Sequence, residues 1–131
     1  MEPALVEEAT RRSGLVWVCL DDDPIAHPVW HLWHDGAAYV VTGGAEQPLP
    51  GADAAVRAVV AVRSRERQGD LLLRWTAQVE QLAPGTPAWD EVVPLLHEQR
   101  LNAPDGEQQP QRWARESLVL RLVPDGGHVP V

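Results

Sequence analysis

The sequence has no lysine, a single cysteine and no long apolar run, and each shortage excludes a class of protein. Eleven arginines face nineteen acidic residues, so the net charge is -8. With no basic patch to offset phosphate repulsion, nucleic-acid binding is not expected. Cys19 alone cannot form an internal disulfide, which is typical of a protein in the reducing cytoplasm. No run approaches the about 20 apolar residues that span a bilayer, and the first residues lack an apolar signal core.

The 131 residues predict one domain, 1–131, dominated by antiparallel strands. Apolar alternation and turn residues indicate about six strands and two or three helices, which together favour a barrel or a strongly bent sheet with helices at its ends. The predicted strands cover residues 15–20, 27–34, 37–42, 56–64, 71–82 and 117–123. A turn is predicted at 68–70, and a polar loop is predicted from Asn102 to Gln111. The predicted helices run from about Pro3 to Arg12 and from Thr86-Pro87 onward, with a kink or a division at Pro94. Residues 126–131 are expected to form a loose tail.

The stretch from His27 to Gly44 carries the strongest local signal. Asp35-Gly36 separates two apolar runs, and both residues tolerate a positive φ, so a hairpin is predicted. Alternation along the first arm puts Val29 and Trp33 on one face, with Trp30 and Leu32 on the other. The second arm ends in Thr42-Gly43-Gly44, where a backbone can approach a ligand closely.

Three histidines of the first arm superficially match metal-ligand spacing. On a strand, however, His27 and His31 lie about 13 Å apart, and His34 points to the opposite face. Because zinc needs its ligand nitrogens about 2 Å from the metal, no metal site is predicted. Two interpretations remain open: His27 and His31 face a ligand cleft, or they pack inside the barrel.

No side chains form a recognisable catalytic motif. Cys19 lies in an apolar strand and is expected to be a small core residue. Ser64 lies in no nucleophile-elbow pattern, and Gly43-Gly44 lacks the spacing of a dinucleotide or phosphate loop. No catalytic residue is therefore assigned.

Two groups of arginines are candidates for holding an anion. Arg63 and Arg65 share a face at a strand end, and near a glycine-rich loop their forked cations can grip a phosphate. The alternative is a solvated strand end. Trp113 lies between Arg112 and Arg115, an arrangement that can cover a planar heterocycle and hold its anionic tail. Alternatively, Trp113 packs the last strand against the barrel.

The order of these motifs resembles the pyridoxamine 5'-phosphate oxidase-like family of FMN-binding split β-barrels. The resemblance covers about residues 15–124 and is carried by HPVWHLW, DG, AYVVTGG, VVAVRS, VEQL and RWARE. It implies a mainly β, α+β fold: a six-stranded antiparallel split barrel with flanking helices. Members of this family are usually two-fold dimers with both sites at the interface, so a homodimer is expected.

The resemblance also implies roles for individual residues. Near the flavin ring it places His27, Val29, Trp30 and His31. Near the ribityl chain or phosphate it places Thr42, Gly43, Gly44 and Gln47. It makes Arg63 and Ser64 candidate phosphate partners, and Trp113 and Arg115 candidate contacts from the C-terminal segment of the same or the partner subunit. The family commonly has Arg or Lys in the loop after the second arm, whereas this loop has Glu46, which would repel a phosphate.

These expectations lead to three functional hypotheses. The first is a small FMN-binding flavoprotein of oxidoreductase type, in which the flavin carries the hydride chemistry on a small-molecule substrate. The second is a deazaflavin-dependent reductase on the same fold. The third is a split-barrel binding protein without a cofactor, which Glu46 and the missing loop cation favour.

Overall fold

The computed structural model describes residues 3–63, 71–100 and 106–128. Its strands are β1 (Val16–Leu20), β2 (His27–Val29), β3 (Leu32–His34), β4 (Ala37–Thr42), β5 (Arg57–Arg63), β6 (Leu71–Leu82) and β7 (Leu118–His128). Its α-helices are α1 (Pro3–Arg12), α2 (Pro87–Gln99) and α3 (Gln109–Glu116). The expected mainly β fold with flanking helices is confirmed. None of the described helices is long and apolar enough to cross a membrane.

All seven strands form one antiparallel sheet in the order β2-β1-β5-β6-β7-β4-β3. The two edge strands, β2 and β3, follow each other directly in the chain, with only Trp30 and His31 between them. Because Val29 and Leu32 are three residues apart, their Cα atoms can be separated by at most about 11 Å. The sheet must therefore curl until its edges nearly meet, which makes it a split barrel.

The expected count of six strands is wrong, and this split is the reason. The predicted arm 27–34 is divided at Trp30 and His31: β2 pairs with β1, whereas β3 pairs with β4. Its alternation nevertheless holds on both sides of the break. Val29 and Trp33 pack in the barrel interior, and Trp30 and Leu32 pack outside it.

The hairpin predicted at Asp35-Gly36 is confirmed. Asp35 has φ 47° and Gly36 has φ 80°, the two positive values that a type I′ turn requires. The flanking pairs run from His34 opposite Ala37 to Leu32 opposite Tyr39, so the loop has two residues.

The barrel interior is filled by the inward side chains of the strands. Along β6, Leu73, Trp75 and Ala77 are buried, while the intervening residues are partly or largely exposed, as the alternation predicts. On β7, Leu120 and Leu122 are completely buried and Leu118 packs against the same core. Helix α1 contributes Val6, which contacts this core at one end of the barrel.

A second apolar cluster lies outside the barrel, where α2 and α3 cover only part of the sheet. It joins outward residues of β4 and β7 to the two helices, and its buried members are Ala37, Tyr39, Val41, Trp89, Val92, Val93, Leu96, Trp113 and Val119. Apart from Leu82, which packs against it at the end of β6, the outward side chains of β1, β5 and β6 do not belong to it. These include Trp17, Val59 and Arg74, which are only partly buried. Among the described elements, none packs over this half of the sheet.

Several local expectations are corrected. Pro94 lies inside α2 without dividing it, and α3 occupies a segment to which sequence reasoning assigned a polar loop as far as Gln111. Strand β7 continues to His128, so residues 126–128 are not a loose tail. His128 pairs with Trp75, which lies in the first half of β6. The predicted turn at 68–70 and the loop at 102–105 lie outside the described residues.

Candidate functional site

The loop after β4 is bound to the split of the barrel through Gln47. Its Oε1 accepts a hydrogen bond from the Trp30 N–H at 2.7 Å, and its Nε2 donates to the carbonyls of Trp30 at 3.1 Å and Val41 at 3.0 Å. The hydroxyl of Thr42 donates to the Gln47 carbonyl at 2.7 Å. The polar atoms of both side chains therefore hold the chain's own backbone at the position where ribityl contacts were expected.

The close backbone approach predicted at Gly43-Gly44 is present, but the neighbour is the end of α3. A Cβ at Gly44, which has φ 64°, would lie 3.0 Å from the Cβ of Glu116 and 3.1 Å from its carbonyl oxygen. The Ser117 hydroxyl donates to the Gly43 carbonyl at 2.9 Å. Glycine is required here because the loop packs tightly against this helix end.

Glu46 is the centre of a buried ion-pair group. Its side chain is completely inaccessible, and its two oxygens accept from Arg100 Nε and Arg112 Nη2, each at 3.0 Å. Two guanidinium groups around one carboxylate leave a formal charge of +1. Sequence analysis identified Glu46 as an obstacle to an anion and missed Arg100, because these contacts join residues 54 and 66 positions apart.

Trp113 supports the packing interpretation. It is completely buried, with its ring centre 6.4 Å from that of Trp30, and its indole N–H has no hydrogen-bond partner in the described structure. Beside it in α3, Gln109 is also completely buried, and its side-chain oxygen lies 3.0 Å from Nδ1 of His97. Arg115 is exposed on the same helix.

The residues expected near a flavin ring divide between the core and the surface. Val29 is completely buried inside the barrel, so it does not line a cleft. His27 is half-buried, with Nε2 3.4 Å from Asp23 Oδ2. His31 is 3% exposed, and its Nε2 donates to the Thr10 carbonyl at 2.7 Å near the end of α1. Its own carbonyl accepts from Gln99. For His31, the packed alternative describes the structure.

Arg63 does not lie beside the glycine loop of its own chain. It pairs with Leu71 at the start of β6, whereas Thr42 pairs with Leu118, next to the partner of Leu82 at the end of that strand. The run from Leu71 to Leu82 spans about 36 Å. The guanidinium of Arg63 lies 5.7 Å from the ring centre of Trp17 on the outward face. Ser64 and Arg65 lie outside the described residues.

A shallow cavity of about 270 Å³ adjoins the glycine loop. It is lined by Thr42, Gly43, Pro48, Leu49, Pro50, Gly51, Ala52, Asp53 and Leu118. Among the described residues that line it, Asp53 alone is charged, and it is acidic. Within one chain, these residues do not fit the phosphate of FMN, because the lining offers no cation. Across the described ranges, no group of three or more potential ligands could hold a metal ion.

Solved structures with the same fold include several split-barrel proteins. The heme storage protein HutZ from Vibrio cholerae has a TM-score of 0.66 at 10% identity, over 96% of this chain and 92% of that one. A putative pyridoxamine 5'-phosphate oxidase from Listeria innocua has a TM-score of 0.60 at 8% identity, over 97% of both chains. The general stress FMN/FAD binding protein from Xanthomonas citri has a TM-score of 0.58 at 15% identity, over 92% and 82%.

These similarities confirm the resemblance to the pyridoxamine 5'-phosphate oxidase-like split barrels at the level of the fold. No protein-family model matches the chain, and no curated protein sequence does. At identities this low, the shared architecture carries no assignment of activity.

The Glu46 group predicts a large and specific effect on stability. Glu46→Gln should lower the free energy of unfolding by about 3 kcal/mol, because it removes the charge of a completely buried carboxylate that pairs with two arginines. Urea unfolding provides the measurement. Glu80→Gln is the matched control: its pair with Arg121 at 2.9 Å is substantially exposed, so the loss should stay below about 1 kcal/mol. Equal losses in the two variants would contradict the assignment.

His31 predicts a dependence of stability on pH. Burial lowers the pKa of its imidazole. If Nδ1 took up a second proton, its N–H would find no acceptor among the described residues. Below the unfolded-state pKa of about 6.5, the unfolded chain binds a proton that the folded chain does not, so stability falls with decreasing pH. Above that pKa the neutral His31 ring costs no stability. Below it, the free energy of unfolding falls by up to about 1.4 kcal/mol for each pH unit. Unfolding curves between pH 8 and pH 5 should show a shallower loss for His31→Gln; an unchanged slope would show that His31 does not titrate in this way.

Proposed function

We propose that this chain is a flavin-binding split-barrel protein of oxidoreductase type that acts as a homodimer. The observation that carries the proposal is the uncovered outward face of β1, β5 and β6, where the planar guanidinium of Arg63 lies over Trp17. An aromatic ring and a forked cation on one open face suit a planar ligand with an anionic tail. The fold supports the same conclusion, since it is shared with proteins described as FMN/FAD binding.

A second copy of the chain could bring its Arg63 to the glycine loop of the first copy, which the first copy's own Arg63 does not reach. In a two-fold dimer, a contact from one region of the first subunit to another region of the second occurs twice. Placing Arg63 of one subunit beside the Thr42–Gly44 loop of the other would therefore create two equivalent sites, each with the cation that the loop lacks. The uncovered sheet face supplies the apolar surface for this contact.

In such a protein, the side chains of the chain serve to bind the flavin. A bound flavin carries the redox chemistry itself, so the side chains need only hold it, orient it and exclude water. This division of labour agrees with a site that has a buried structural carboxylate and a packed histidine but no catalytic motif.

A split-barrel binding protein without a cofactor is the second candidate, and a specific observation favours it. Gln47 and Thr42 bind backbone, Gly44 packs against Glu116, and Glu46 is held by two arginines. The chain's own groups thus occupy contacts that a ribityl phosphate would use. The two candidates differ in whether the purified protein binds a flavin at all.

Flavin binding tests the proposal and its phosphate contact together. Titration followed by tryptophan fluorescence should show FMN binding to the wild-type protein, with a deazaflavin as the alternative ligand. Arg63→Ala should weaken FMN binding by about tenfold or more, since a charge-assisted contact is lost. Riboflavin, which has no phosphate, should bind both proteins equally. Arg57→Ala is the control, because Arg57 is exposed at the other end of β5.

Two results would reject this proposal. If neither FMN nor the deazaflavin binds, the cofactor-free candidate is favoured. If FMN binds but Arg63→Ala has no effect, or weakens riboflavin equally, Arg63 does not contact the phosphate.

The homodimer is tested separately by sedimentation. We expect a dimer at micromolar concentration and a monomer for Trp17→Glu, because a charge in the centre of the uncovered face would be buried on association. Leu5→Glu introduces the same charge at a residue of α1 that is 53% exposed and should leave the dimer intact. A monomeric wild-type protein would contradict the prediction.

A further inference from the structure

An apolar cavity lies beneath α1, away from the glycine loop. Its volume is about 450 Å³, within the usual range for small-molecule pockets. It is lined by Pro3, Ala4, Val6, Glu7, Trp33, Gly36, Trp75, Pro124 and Gly126. These residues come from the first turns of α1, the hairpin, β6 and β7, and none of them belongs to the candidate flavin site.

Two tryptophans form the inner wall of this α1 cavity. The rings of Trp33 and Trp75 meet edge to face at 83°, with centres 6.1 Å apart. Both indole N–H groups are already bound: that of Trp75 donates to the Thr10 hydroxyl at 3.1 Å, and that of Trp33 to Glu7 Oε1 at 3.1 Å. Both donors are therefore engaged, and the rings are fixed in orientation. Trp75 is 1% exposed and forms the floor of the cavity, so the half-buried Trp33 supplies most of the apolar ring surface.

Among the described residues that line the cavity, Glu7 alone is charged. The two arginines of α1 do not neutralise it, because Arg11 and Arg12 both pair with Glu8, at 3.1 Å and 3.2 Å. One Glu7 oxygen accepts from Trp33, which holds the carboxylate at the rim. A cavity with aromatic walls and a fixed negative charge at its rim is complementary to a ligand with an apolar ring and a positive group.

We propose that the α1 cavity binds a small aromatic amine. The ring packs against Trp33 and Trp75, and the ammonium group lies beside Glu7, where it also gains from the negative faces of the indole rings. This proposal does not depend on flavin binding, since it uses a different part of the molecule.

The test uses the full-length protein with 2-phenylethylamine as the probe. We expect saturable shifts of the Trp33 and Trp75 indole N–H resonances, assigned by substitution, with a Kd of about 1 mM or tighter. The anion 3-phenylpropanoate has the same ring and should bind at least about tenfold more weakly, because Glu7 repels it. Absence of saturation by the amine, or equal binding of the two probes, would overturn the proposal.

Two variants separate the charge from the shape of the cavity. Glu7→Gln should weaken amine binding by about tenfold while Glu8→Gln, its neighbour on the same helix, leaves it unchanged. Ala4→Phe should fill the cavity and abolish binding of the amine, with circular dichroism confirming that the variant is folded. Equal effects of Glu7→Gln and Glu8→Gln, or amine binding that persists in folded Ala4→Phe, would each refute the site.

Discussion

The two-residue link between β2 and β3 is the constraint on which the rest of the structure depends. A seven-stranded sheet has two edges that would otherwise be free to pair with other chains. Here Trp30 and His31 join those edges covalently, and the link is held from three directions. Gln47 binds the Trp30 backbone, Gln99 donates to the His31 carbonyl, and the His31 ring donates to Thr10. The β4 loop, α2 and α1 are thus all fixed to one point of the barrel.

The polar groups of the loop after β4 bind the fold itself. The family resemblance implies instead that these groups would hold a cofactor's anionic tail. In this chain, Gln47 secures the barrel split, and Glu46 ties the loop to Arg100 after α2 and to Arg112 in α3. Breaking such a buried pair is costly because one charge is left uncompensated. The polar groups of this loop therefore stabilise the fold, whereas the resemblance implies that they would bind a ligand.

The sequence predicted features that depend on neighbours in the chain. Asp35-Gly36 specified the hairpin because a two-residue turn needs two positive φ values, and the alternation of β6 specified its buried face. The division of the arm at Trp30 could not be predicted, since alternation continues across it and only the pairing partners change. The roles of Glu46 and His31 were equally hidden, because their partners lie 21 to 68 residues away. The location of Arg63 at the end opposite to the glycine loop followed from strand order, which no local pattern encodes.

The position of the barrel split also determines the order in which the fold can be assembled during synthesis. Both edge strands leave the ribosome together, after β1 and before the four strands that complete the wall between them. Helix α1 emerges before all seven strands, yet Thr10 can receive its bond from His31 only 21 residues later and that from Trp75 only 65 residues later. The contacts that fix α1 to the barrel are therefore complete only when β6 exists, although β2 can pair with β1, and β3 with β4, much earlier. Synthesis from the N-terminus thus produces the two edge strands of the barrel before most of the strands that lie between them.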